Sequence, residues 1–445
     1  MAEIEVKYGK ISGVEENGYT VYKGIPYAKP PIGELRFRAP VEVEPWDGIY
    51  QAESFKSKCI QSKLPPEIQF YIKEFYSNPE FMPKGSEDGL YLNIWTPAKN
   101  PSEKLPVAFW IHGGGFLGGF GSEMEFDGDA FCKQDVILVT INYRLGLFGF
   151  LAHEWLCEEN EKGVSGNYGI LDQMMALKWV YENIEAFGGD PENITIFGQS
   201  AGAISVQTLI SSQLTGNIIK KAIMQSGGGY KNPLIQGKSL QDAKQLGADF
   251  INFGKIKSLT ELREKPAEEL LFLAGEFSKQ KRMAGEVGLL FTPIVDGYVL
   301  AEGYDQLVEK GEIKDIPYML GCCKEDVTVT TEGGENSPIY LGCLGFSQKL
   351  EELGRKPAYV YYFKRNLPGD DSGAFHSGEL WYMFGTLKRN WRPNSAADYE
   401  LSDRMVAAWT NFIKNGDPNN TDQKYDWIPY SSNNPFIKEF DVTSD

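Results

Sequence analysis

The chain has 445 residues, of which 42% are apolar and 24% charged, an ordinary globular composition with length for a sizeable core. Its 61 acidic residues outnumber its 44 lysines and arginines, for a formal charge of −17; lacking a positive footprint, it is expected to bind neither nucleic acid nor anionic membrane, and neutral small-molecule substrates fit best. No basic start with an apolar stretch opens the chain, and no window approaches the roughly 20 apolar residues of a membrane span, so a cytoplasmic protein is expected.

In chain order, IEVKYGKISGV and YTVYKGIPYA alternate in the manner of antiparallel hairpins. Strand-like runs follow at YLNIWTP, LPVAFWIHGG, VILVTINYR, NITIFGQS, KKAIMQSGG, IPYMLGCC and AYVYYFKRN. Several are apolar on both faces, as strands buried between helix layers are. Between VILVTINYR and NITIFGQS, the residues Ile170, Leu171, Met174, Leu177, Trp179 and Ile184 recur near helical period until Gly188-Gly189 and Pro191 stop the pattern. Strand, crossover helix and strand make a parallel βαβ unit. The predicted fold is therefore α/β, with a central, mostly parallel sheet flanked by helices. Residues about 230–290 and 330–355 lack strand punctuation and are expected to be helical or irregular insertions covering the carboxyl edge of the sheet. No repeat or long linker divides the chain, which predicts a single domain over residues 1–445.

The stretch ITIFGQSAGA ends a strand, places Ser200 between Gly198 and Gly202, and restarts in helix formers. A sharp strand-to-helix turn of this kind needs small residues two before and two after the serine, and it pushes the serine hydroxyl out of the backbone's crowding. A hydroxyl attacks a carbonyl only with a base beside it and with donors for the oxyanion that forms. WIHGGGF, roughly eighty residues earlier, offers backbone N–H groups at Gly114 and Gly115, which the N–H of Ala201 joins. Of the three histidines, His112 belongs to that glycine motif and His153 precedes the serine. His376, in the Gly/Ser-rich SGAFHSGEL, is the expected base, since in this reaction order the histidine comes last. The orienting acid must lie between them: Glu325 and Asp326 follow a strand in IPYMLGCCKEDV and are not separable on spacing, with Asp296, Asp370 and Asp371 as weaker rivals.

Six cysteines in a chain this long make no disulfide framework, and Cys322 and Cys323 are adjacent. No CxxC or HExxH occurs, so no metal site is expected. Phe116, Trp381, Tyr382 and Phe384 stand near the motifs as pocket lining or core alike.

These stretches, together with YKGIPYAKPPIGELRFRAP, SEDGLYLNIWTP, NYRLGLFGFL and GAFHSGELWYMFG, resemble the type-B carboxylesterases, the group of bacterial para-nitrobenzyl esterases, animal carboxylesterases and cholinesterases. The resemblance implies an α/β-hydrolase fold and cofactor-free hydrolysis of a carboxylic ester through an acyl-enzyme, by a monomer or weak homo-oligomer. It places the nucleophile at Ser200, the base at His376, the oxyanion donors at Gly114, Gly115 and Ala201, and a supporting serine at Ser226. It also selects Asp326 over Glu325 as the acid, five residues beyond Gly321. Three departures carry expectations of their own. Gly89 stands where secreted members carry the cysteine that pairs with the one matching Cys59, which implies no bridge and a reducing compartment. Gln199 replaces a glutamate common in relatives, which implies weaker selectivity for cations. Asp326 and His376 are only fifty residues apart, which implies a reduced cover and a more open pocket.

Overall fold

The structure, a computed structural model, describes residues 2–62, 68–286, 288–327, 333–419 and 426–442. Its centre is a ten-stranded sheet. In chain order the strands are β1 (Val14–Glu16), β2 (Tyr19–Pro26), β3 (Tyr91–Thr96), β4 (Leu105–Ile111), β5 (Ile137–Ile141), β6 (Gly189–Gln199), β7 (Ile219–Gln225), β8 (Tyr318–Cys323), β9 (Tyr359–Phe363) and β10 (Lys438–Phe440). Across the sheet they run β1-β2-β3-β5-β4-β6-β7-β8-β9-β10. The first three neighbouring pairs are antiparallel and every pair from β5 to β10 is parallel. IEVKYGKISGV forms the expected hairpin, Glu3–Val6 on Gly9–Ser12, in a separate three-stranded sheet. YTVYKGIPYA becomes β2, the second strand of an antiparallel hairpin with β1 across Asn17-Gly18, and on its other side it pairs with β3 in the main sheet.

The strands are apolar on both faces because both are covered. In β4, Val107, Phe109 and Ile111 enter one core with α2 (Tyr168–Asn183) and α3 (Ala201–Ser211). The alternate residues Ala108 and Trp110 enter a second core with Leu401, Met405, Trp409 and Phe412 of α8 (Ala396–Asn415). The period-2 pattern of a strand thus feeds two helix layers at once. The crossover helix ends as its glycines require: after a 3₁₀ turn at Ile184–Phe187, Gly188 caps it at φ +80°.

The described part of residues 230–290, which leaves out 287, holds three α-helices, α4 (Leu240–Phe253), α5 (Leu259–Glu264) and α6 (Ala267–Met283). The later stretch holds α7 (Pro338–Glu352); positions 330–332 of the expected insertion lie outside the described residues. An earlier helix, α1 (Gln69–Phe75), packs against the loop between β9 and α8. No helix among the described residues is long and apolar enough to cross a membrane.

At the β6–α3 junction the backbones all but touch. A Cβ on Gly198 would lie 2.5 Å from the Gly202 carbonyl carbon, and one on Gly202 would lie 2.0 Å from Ile111 O. Neither obstacle is a flexible side chain, so neither can yield cheaply. Gly202→Ala is accordingly expected to destabilise the fold by at least the 1–3 kcal/mol typical of overpacking, read as a lowered urea midpoint at unchanged slope.

Candidate active site

Ser200 is the residue at which β6 becomes α3. It has φ +56° and ψ −124°, a backbone conformation unusual for a residue with a Cβ. The turn is held from both sides: Ser200 N–H donates to Gln225 O of β7 at 2.8 Å, and Ile204 N–H donates to Ser200 O at 3.0 Å. The result is a half-buried hydroxyl at the carboxyl end of a central parallel strand, where open α/β sheets place their ligands.

The glycine loop after β4 wraps against it. A Cβ at Gly113 would meet Gln199 O at 2.8 Å and Ser200 Cβ at 3.2 Å. Gly114 and Gly115 follow with φ +98° and +62°, conformations that glycine adopts freely. Among the described residues no protein acceptor takes the N–H groups of Gly114, Gly115 or Ala201, the last at the open N-terminus of α3. His112 packs inside this loop: it stacks on Tyr143 at 4.4 Å, its Nδ1 lies 2.9 Å from Gly113 O, and burial pushes its pKa down to about 4. It is a neutral strut. His153 caps a short helix through Nδ1, at 3.2 Å from Trp155 N, away from this loop.

His376 stands beside Gln199. The Gln199 amide nitrogen lies 3.2 Å from Nε2 and 3.5 Å from Nδ1, and among the described residues no hydrogen bond joins the Ser200 hydroxyl to the ring. Nδ1 is hydrogen-bonded to Asp326 Oδ1. Asp326 is itself fixed by two backbone donors, Cys323 N–H to Oδ2 at 3.0 Å and Val327 N–H to Oδ1 at 2.8 Å. Burial lowers the pKa of the imidazole, but the charge and hydrogen bond of Asp326, with the Glu379 charge behind them, outweigh it and leave it above the ordinary histidine value.

The neighbouring Glu325 does something else. Its Oε2 accepts the Ala374 N–H at 2.7 Å, and its own N–H donates to Ala374 O at 3.0 Å, so it pins the backbone two residues ahead of His376. The remaining rivals are occupied elsewhere. Asp296 accepts three backbone N–H groups, from Tyr298, Val299 and Leu300. Asp370 pairs with Arg392, and Asp371 is exposed. Ser226 is buried with φ +52° and its N–H bonded to Gly321 O, but among the described residues its hydroxyl has no partner and makes no hydrogen bond to His376 or Asp326.

Glu379, not singled out above, is a fully buried carboxylate three residues after His376. Cys323 Sγ donates to its Oε2 at 2.9 Å and Gln225 Nε2 to its Oε1 at 3.3 Å, while Trp409 Nε1 holds Gln225 in turn at 3.0 Å. Burial raises its pKa; the Cys323 hydrogen bond opposes that rise and the Asp326 charge adds to it. The visible signal was a lone charge inside the apolar run GELWYMFG. Leu289 is a second omission, with no signal at all: from the segment after α6 it reaches over Gly115, 3.5 Å from where a Cβ would stand, and is 43% exposed. Phe116, Trp381, Tyr382 and Phe384 are all core.

Asp326→Asn is expected to lower the pKa of His376, because burial then faces one opposing charge fewer, while Glu325→Gln leaves it in place. Titration of the imidazole by NMR reads both.

The comparisons with known proteins agree with one another. The model described as the carboxylesterase family matches residues 1–339 and 336–444. The para-nitrobenzyl esterase of Bacillus subtilis (strain 168) is 34% identical over 476 residues, covering 96% of this chain and 92% of its own. The fumonisin B1 esterase of Sphingopyxis macrogoltabida is 32% identical, over 92% of this chain and 81% of its own. Among solved structures, a PNB esterase superposes with a TM-score of 0.85 at 30% identity, covering 99% of this chain and 96% of that one. The Geobacillus stearothermophilus carboxylesterase superposes at 0.82 with 32% identity, over 100% and 97%.

Proposed function

The chain belongs to the carboxylesterase family and is a carboxylic-ester hydrolase of the α/β-hydrolase fold; from that premise we propose that Ser200, His376 and Asp326 carry the reaction, with the N–H groups of Gly114, Gly115 and Ala201 as the oxyanion hole. The observation that carries the reading is the His376–Asp326 hydrogen bond beside the strained turn at Ser200. With its Nδ1 proton committed to Asp326, the ring offers Nε2 as the acceptor. Ser200 Oγ attacks the ester carbonyl and gives its proton to Nε2, and the carbonyl oxygen becomes an oxyanion facing the three free N–H groups. The imidazolium then protonates the departing alcohol, leaving an acyl-Ser200. A water, deprotonated by the same Nε2, repeats the cycle and releases the acid. The Gln199 amide nitrogen lies 3.2 Å from Nε2, so the scheme requires Nε2 to take up the Ser200 hydroxyl in the substrate complex, where such contacts tighten.

For substrate we favour neutral, short-chain or aryl esters. The chain's formal charge of −17 disfavours anionic ones, and the neutral Gln199 gives a cation no counter-charge. Leu289, together with Leu117, which is 48% exposed, puts apolar side chains at the glycine loop. No step in this scheme calls for a metal or cofactor. All six cysteines are unpaired, which supports a reducing, cytoplasmic setting, and we read residues 1–445 as one catalytic unit, monomeric or weakly associated.

Hydrolysis of para-nitrophenyl acetate tests the roles. Ser200→Ala and Asp326→Asn are expected to lose several orders of magnitude in kcat, and Glu325→Gln to lose little, by analogy with triad variants elsewhere. Comparable activity in Ser200→Ala would refute the scheme. In wild type, kcat/KM is expected to fall as pH drops through a single ionisation above the ordinary histidine value of about 6.5. The sign follows from the chemistry: a raised pKa keeps the ring protonated to higher pH, and only the neutral ring accepts a proton.

Leu289 generates a separate expectation. Leu289→Ala should raise the ratio of kcat/KM for octanoate over acetate esters by roughly 10-fold, the scale of one or two methylenes in an apolar pocket. An unchanged ratio would place Leu289 outside the substrate's path.

A further inference from the structure

The loop that brings in His376 and the segment that carries α1 meet at one buried ion pair. Arg392 has a completely buried side chain. Its Nε donates to both carboxylate oxygens of Glu74 on α1, at 2.9 and 3.1 Å. Its Nη1 donates to Pro368 O at 3.0 Å and to Asp370 Oδ1 at 2.9 Å, and Nη2 to Ser372 Oγ at 3.1 Å. Pro368, Asp370 and Ser372 form the turn leading into His376. The guanidinium also lies over the ring of Phe375, 5.1 Å from its centroid, and Phe375 immediately precedes His376. From the other side, Phe70 of α1 meets the same ring edge-on at 4.8 Å. Phe375 is thus held between α1 and Arg392.

Glu74 is equally committed. Beyond Arg392, its two oxygens accept the indole N–H groups of Trp381 at 3.0 Å and Trp391 at 2.9 Å. A buried ion pair is a poor source of stability, since apolar residues of similar volume serve as well or better. What a planar guanidinium fork adds is direction: several donors leave one rigid plane at set angles, and a loop bound by them has little freedom to shift. Here the fork points at three positions of one turn and at one carboxylate on a different segment, 318 residues away in sequence.

We propose that Arg392 is a positioning residue for ester hydrolysis: gripping the turn before His376 and the Glu74 carboxylate together, it fixes how the imidazole faces Ser200 and couples that pose to the seating of α1 on Phe375. The inference rests on the reading of His376 as the base. Arg392 touches no reacting atom; it acts through the loop.

Three variants test it. Arg392→Lys keeps the charge and loses the fork. Glu74→Gln keeps the shape and weakens the grip. The double variant Glu74→Met with Arg392→Met leaves no unpaired buried charge, and so remains measurable if a single variant does not fold. Each is compared with wild type in thermal midpoint, in kcat and KM for para-nitrophenyl acetate, and in the pH profile of kcat/KM. In folded Arg392→Lys and in the double variant, kcat is expected to fall on the order of 10²-fold, the effect of a misplacement of about 1 Å, with KM within about twofold. The acid limb is expected to move to lower pH, because the charged groups that face the ring are Asp326 and Glu379 and a loosened loop draws it away from the first. Glu74→Gln should move both readouts the same way by less. Folded variants that keep wild-type kcat and the wild-type acid limb, with only the midpoint lowered, would overturn the proposal and leave Arg392 a purely structural residue. A wild-type protein whose ester turnover survives Ser200→Ala or His376→Ala would instead overturn the reading on which the proposal stands.

Discussion

Where β6 turns into α3, three stretches of backbone lie in direct contact: Gly198 on Gly202, Gly202 on Ile111 O, and Gly113 on Gln199 O. This approach positions everything else at the site. It aims the Ser200 hydroxyl out of the sheet and lays the glycine loop over it, where the N–H groups of Gly114 and Gly115 meet no acceptor among the described residues. It also leaves Ser200 in a conformation that costs on the order of 1–3 kcal/mol. That strain is offset by ordinary packing, since Val206, Leu209 and Ile210 of α3 are buried in the core that β4 and β6 share. Ser200 is therefore held by closely packed backbone and a buried helix, which is what an elbow-type site requires.

Around His376 the requirement is different: one carboxylate must pair with the ring and the others must not compete. The fold separates them by giving each its own donors. Asp326 takes two backbone N–H groups besides Nδ1. Glu325, next to it, spends its carboxylate on the Ala374 N–H. Glu379 is enclosed by a thiol and an amide, and its burial resists ionisation. Three carboxylates near one imidazole thus have three duties, and only the first meets the ring.

The parts of this arrangement that were legible in the chain were those where local chemistry dictates residue type. Glycine is demanded at 198 and 202 because nothing larger fits, so the turn could be read from five letters. The two-sided apolar strands and the crossover helix were readable for the same reason, as periodicity and glycine stops are local. The separation of Asp326 from Glu325 was not local: both follow β8, and spacing alone left them equal until the resemblance chose, whereas in three dimensions their carboxylates turn to different partners. β1 and β10 escaped notice because three residues carry too little periodicity. Leu289 and Glu74 were invisible because what they touch lies far along the chain, and no pattern in one segment encodes a partner in another.

The segment between Cys59 and Gly89 shows how such long-range contacts take the place of covalent ones. Its ends are held by backbone pairing of Lys58–Cys59 with Gly85–Ser86, and a Cβ at Gly89 would already stand 2.7 Å from Cys59 Cα. A cross-link at those ends would restrict the unfolded chain, but it would not determine where α1 rests on the body. The Glu74–Arg392 pair does the reverse: it acts at the middle of the segment, where Phe70 and Phe75 meet the residue before His376. All six thiols are buried and unpaired. The turn before His376 is thus tied to α1 by a charge pair and an aromatic contact, with no disulfide among the six thiols taking part.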